Sequence, residues 1–176
     1  MGRRASFDDL GLTTRDFLRN VNTGLVGFLL VAPWVYAVNA AAVFIYPQTK
    51  HPLESMLREG LSPSAVLLAI VSAVFLAPAA EELIFRGVLL GWMSKPRDGE
   101  ETSLSTRSGD WAPIVLSSLL FAAVHASEMP APFAIFILSL ALGRIARTTG
   151  SLVGPLVLHS SFNAFSTLML IASSTL

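Results

Sequence analysis

The 176-residue chain is 53% hydrophobic, carries charged side chains at only 14% of its positions and has a formal net charge of zero. A water-soluble domain carries about 25% charged residues, so this is the composition of a membrane protein, and no basic footprint for nucleic acid is present. The absence of cysteine excludes disulfides, thiolate metal sites and a cysteine nucleophile.

Residues 1–23 are polar and hold Arg3, Arg4, Asp8, Asp9, Arg15, Asp16 and Arg19. That is long for the basic start of a cleaved signal, and the apolar run that follows at 24–45 lacks a clear small-residue cleavage site, which predicts a retained anchor. A polar insert at 50–60 opens helically at Pro52 and sets Leu53, Met56 and Leu57 on one face, the pattern of an interfacial helix. Further apolar segments lie at 65–92, 112–126, 131–147 and 151–175. Against the roughly 20 residues needed to cross a bilayer, those at 112–126 and 131–147 are short. At about 1.5 Å per residue they cover only about 22–25 Å, which leaves one side of the bundle thin or open to water.

The expected fold class is therefore all-α: a polytopic transmembrane helical bundle of about five spans with short interfacial helices. Its expected divisions are a polar segment at 1–23, an anchor span with its insert at 24–63, and a core at 64–176. The polar loop at 93–110 joins two spans of that core. With the N-terminus inside, the inner segments collect Arg3, Arg4, Arg15, Arg19, Lys95, Arg97, Arg107, Arg144 and Arg147, against Lys50 and Arg58 outside. This asymmetry predicts a cytoplasmic N-terminus in the cell (inner) membrane.

Glu81, Glu82 and Arg86 interrupt the apolar stretch Ala65 to Trp92. An ionisable group at the bilayer centre costs roughly 2.5–3.5 kcal/mol, so the three together ask for about 8–10. The fourteen Leu, Ile, Val and Phe residues of the stretch return about 6 kcal/mol. The charges therefore face protein or a wet cavity and mark a functional site. Measured inward from the 93–110 face at about 1.5 Å per residue, Glu81 lies about 18 Å deep, His125 about 21, His159 about 12 and Asn163 about 18. Glu82 and Arg86 are spaced i,i+4 and can pair, whereas Glu81 is turned about 100° away and left for chemistry. Pro78, just before the glutamates, removes a backbone donor and bends the helix beside the site.

A carboxylate in an apolar cavity suits a general base for water. Histidines share that water or protonate a leaving amine, and histidine and asparagine donors stabilise an oxyanion. Glu81, His125, His159 and Asn163 thus match water attack on an amide. Glu81, His125 and His159 equally supply the ligand types of a catalytic zinc site, so metal-free and metal-assisted hydrolysis both fit the residue types. No aspartate lies in any apolar segment and no HExxH occurs, so those hydrolase patterns are unsupported.

Three motifs carry a resemblance. Glu81-Glu82-Leu83-Ile84-Phe85-Arg86 resembles EExxxR, Phe121-Ala122-Ala123-Val124-His125 resembles FxxxH, and His159-Ser160-Ser161-Phe162-Asn163 resembles HxxxN. In order on three apolar segments, over about 65–170, they are similar to the CAAX protease and bacteriocin-processing (CPBP, or Abi) family of intramembrane proteases. The resemblance implies an α-helical membrane endopeptidase acting on a membrane-associated protein or peptide. In it Glu81 and His125 activate water, His159 and Asn163 form the oxyanion site, and Glu82 and Arg86 support them. Eukaryotic relatives trim the last three residues of prenylated CAAX proteins, and bacterial ones are linked to bacteriocin immunity or processing. A non-catalytic membrane immunity factor or scaffold, and a small transporter with a Glu/His proton relay, are the competing expectations.

Overall fold

The computed structural model describes residues 10–46, 62–94 and 111–174, all of whose regular elements are helical. The expected interfacial helix at 50–60 and the polar loop at 95–110 lie outside the described residues. Five helices follow in chain order: α1 at Phe17–Val43, α2 at Pro63–Met93, α3 at Ala112–Val124, α4 at Ala131–Thr149 and α5 at Val153–Ser174. Helices α1, α2, α4 and α5 are long and apolar enough to cross a membrane, so the chain is a helical membrane bundle. The fourth segment is longer than its expected bounds, because α4 continues through Arg147 and Thr148 to Thr149 and reaches 19 residues. Only α3, with 13 residues, is short, and it covers about 20 Å.

The helix ends follow from local chemistry. Ser62 accepts the Ala65 N–H on its hydroxyl at 3.4 Å, and Pro63, with no N–H to satisfy, occupies the first turn of α2. Helix α4 stops at Gly150, whose φ of 64° is the left-handed conformation that favours glycine and whose N–H reaches the Ala146 carbonyl. Within α2, Ser72–Leu76 and Leu83–Leu90 are wound as π-helix on either side of the two glutamates. Such i→i+5 turns are rare and concentrate at functional sites.

Helix α1 packs along α4 and α5, α3 packs on α4, and α2 crosses from α5 in its first half to α3 in its second. Val35, Ala134, Leu138, Leu142 and Leu158 form the apolar centre, with Phe28, Val31 and Phe162 against it. Helices α1 and α5 approach closely at Gly24, where a Cβ would stand 2.5 Å from the Gly154 carbonyl oxygen and 2.7 Å from Val157 Cβ. Small residues at such crossings let backbones meet where lipid gives helices no hydrophobic reason to associate. Outer faces carry exposed Leu18, Leu29, Trp34, Leu67 and Leu68, whereas Glu82, Arg86, Ser139 and His159 are buried. Apolar outside and polar inside is what a bilayer solvent requires.

Candidate active site

The buried polar group is assembled from α2, α3, α4 and α5. On α2, Glu82 and Arg86 form the expected pair, with Arg86 Nη1 donating to Glu82 Oε1 at 2.9 Å and both side chains 1% exposed. Arg86 Nη2 donates to Ser139 Oγ of α4 at 2.7 Å, and its guanidinium carbon lies 4.4 Å from the centre of the Phe121 ring. A guanidinium over an aromatic face gains from the ring quadrupole, more so away from water.

Glu82 does more than neutralise Arg86. His159 Nδ1 stands 2.8 Å from the same Glu82 Oε1. A carboxylate oxygen can only accept here, so Nδ1 carries the hydrogen. The other ring nitrogen, Nε2, faces Glu81 Oε2 at 3.7 Å. Glu81 is 28% exposed at its side chain against 1% for Glu82, so the rotation between neighbours on one helix separates a buried, fully engaged carboxylate from an accessible one. Carboxylate, imidazole and a second polar group in line is the arrangement that fixes a histidine's tautomer and aim in hydrolytic sites.

His125 ends α3, outside helical geometry at φ −97° and ψ 13°, and its Nδ1 donates to the Phe121 carbonyl at 2.8 Å. Its Nε2 is therefore also the nitrogen left for other partners. Among the described residues no hydrogen bond or ion pair joins His125 to Glu81 or His159. It approaches the group through Phe121, whose ring centre is 4.9 Å from that of His125 and 5.9 Å from that of His159. Phe85 meets the same ring edge-on at 4.9 Å. Asn163, one turn after His159 on α5, donates from Nδ2 to the Ala73 carbonyl of α2 at 2.9 Å.

The structure thus gathers Glu81, Glu82, Arg86 and His159 directly, brings His125 to the edge of the group through an aromatic ring, and ties Asn163 to the backbone of α2. The depth reckoning set His159 about 6 Å shallower than Glu81, yet they meet. The π-helical stretch Leu83–Leu90 winds wider than an α-helix and shortens the path from the membrane face to the glutamates. Sequence reasoning missed Ser139, the Ala73 carbonyl and the Glu82–His159 bond. Ser139 carried a signal: it is the lone polar residue between Phe133 and Leu142.

Among the described residues, no three His, Asp or Glu side chains are grouped so that they could hold a metal ion. The zinc set compatible with the residue types, Glu81, His125 and His159, is not among such groups.

No curated protein and no solved structure matches the chain. The family model described as type II CAAX prenyl endopeptidase Rce1-like matches residues 63–165, more than half of the chain, and takes in every residue from Glu81 to Asn163 named above. The chain therefore belongs to the Rce1-like family of CAAX-type intramembrane endopeptidases.

Proposed function

We propose that this protein hydrolyses a peptide bond of a membrane-associated protein or peptide, with Glu81 as the general base. The observation that carries the reading is the approach of Glu81 Oε2 to His159 Nε2 at 3.7 Å, behind which Glu82 and Arg86 lock the imidazole. A water touching both groups loses its proton to Glu81 as its oxygen attacks the scissile carbonyl carbon. The carbonyl oxygen takes up the negative charge at an oxyanion site formed by His159 and Asn163. When the C–N bond breaks, the proton held by Glu81 passes to the leaving amine. His125, at the mouth of the group, helps hold the attacking water through Nε2.

The contacts of the two glutamates support this division. Glu82, held by Arg86 and His159, is committed to structure, which leaves the more exposed Glu81 carboxylate for the water. The cytoplasmic N-terminus and the inner membrane belong to the same reading, on the strength of the Lys and Arg distribution.

The test is cleavage of a quenched, farnesylated CAAX peptide and of a lipid-tethered peptide library by the purified full chain. Glu81→Gln keeps the fold and lowers turnover by about 10²–10⁴, the usual contribution of a general base. Cleavage by Glu81→Gln at the wild-type rate would refute the base. A wild type that cleaves nothing, while Glu81→Gln keeps its biological effect, would favour the immunity factor or scaffold.

A further inference from the structure

We propose that Pro78 is a positioning residue for Asn163: by withholding a backbone N–H it leaves the Ala73 carbonyl open, and that carbonyl anchors the Asn163 carboxamide beside the site. In an α-helix the Ala73 carbonyl would accept from the N–H four residues on, that of Ala77. Here Ala77 gives its N–H to Ser72, five residues back, because Ser72–Leu76 is π-helical. The π-register donor for Ala73 is then residue 78, which is proline and has no N–H. A helix carbonyl in a membrane interior has no water to turn to. The Asn163 Nδ2 group supplies the missing donor at 2.9 Å, and Pro78 itself is fully buried at this crossing.

One amide hydrogen of Asn163 is thereby fixed, and the other remains for an oxygen at the site. Substituting Pro78 by a residue that has an N–H reverses this in either winding. If the π register persists, the new N–H takes the Ala73 carbonyl. If the segment relaxes to α-helix, Ala77 takes it. Asn163 then competes with a backbone donor for its anchor. The inference rests on the reading of Asn163 as an oxyanion donor only for its effect on rate; the anchoring itself does not depend on that reading.

The experiment uses the full chain, labelled with nitrogen-15 asparagine, in lipid nanodiscs. The chain has four asparagines, Asn20, Asn22, Asn39 and Asn163, so the Asn163 side-chain amide is assigned by its loss in Asn163→Asp and the other three report the fold in the same spectrum. Pro78→Ala, with Pro78→Ser as a second donor-bearing variant, is expected to shift the Asn163 amide signal and to speed its hydrogen exchange about tenfold, as loss of one hydrogen bond implies. Replacing Pro78 by lactic acid, which has the methyl group of alanine but an ester oxygen in place of N–H, is expected to leave the signal at its wild-type position. In cleavage of the farnesylated peptide, Pro78→Ala lowers kcat about tenfold or more with KM unchanged, the lactic acid form restores it, and Pro78→Ala adds nothing in an Asn163→Ala background. An Asn163 signal unmoved by Pro78→Ala, or moved equally by alanine and lactic acid, overturns the proposal. A signal that moves as expected while Asn163→Ala keeps full turnover supports the anchoring and instead removes Asn163 from the oxyanion site.

Discussion

Glu82 Oε1 accepts from both Arg86 and His159, while Glu82 Oε2 is buried with no hydrogen-bond partner among the described residues. A carboxylate so committed makes the three groups one unit, and breaking it from one side leaves a buried charge exposed to hydrocarbon. Arg86→Leu is expected to cost about 3–5 kcal/mol of stability, as for other severed buried pairs, whereas Glu82→Leu combined with Arg86→Leu should recover most of it. The double variant remains inactive, because His159 has lost the carboxylate that sets its tautomer. Thermal unfolding in detergent with cleavage in parallel checks this: recovered stability with recovered activity would contradict the positioning role of Glu82. The charged residues and both histidines were legible in the sequence because ionisable groups among apolar ones need a reason to be there. Their partners were not, since whether His159 meets Glu81, Glu82 or both depends on how α5 is rotated against α2, a property of packing that neither helix encodes alone.

At the level of elements, the five apolar segments translate into five helices whose ends match the expected bounds to within a few residues, apart from α1. That helix starts at Phe17 rather than at 24, since its polar first turns continue the helix beyond the apolar run. Hydropathy marks the part of a helix inside lipid, not the whole helix. The π-helical stretches of α2 were not legible, because an apolar run reads the same at 3.6 residues per turn as at a wider winding. Only Pro78 hinted at them. The α1–α5 crossing carries its own prediction. A side chain at Gly24 has backbone, not a flexible tip, within 2.5 Å, so Gly24→Leu must push α1 off α5. It is expected to destabilise the bundle by about 1–3 kcal/mol or more, lowering the unfolding temperature. An unchanged unfolding temperature would mean that the two helices do not meet there.

For the whole molecule, the short α3 matters most. A helix of 13 residues covers about 20 Å of a hydrocarbon core about 30 Å thick, so His125, at its C-terminal end, sits where the bundle is thinnest. The following turn carries exposed Glu128, a charge that favours water at that side. Orientation is testable cleanly because the chain has no cysteine. With the N-terminus inside, Ser105→Cys is expected to react with an impermeant thiol reagent only from the cytoplasmic side, and Ser55→Cys only from the opposite side. The reverse pattern would contradict the orientation read from the Lys and Arg distribution.

The most direct measurement is a double-mutant cycle on single-turnover peptide cleavage using Glu81→Gln, His159→Gln and the two combined. Groups that act on one water fail together, so each single substitution is expected to lower the rate by about 10²–10⁴ and the pair by little more than the worse of the two. Losses that multiply across the pair would show that Glu81 and His159 act separately and would contradict the shared water on which the account rests.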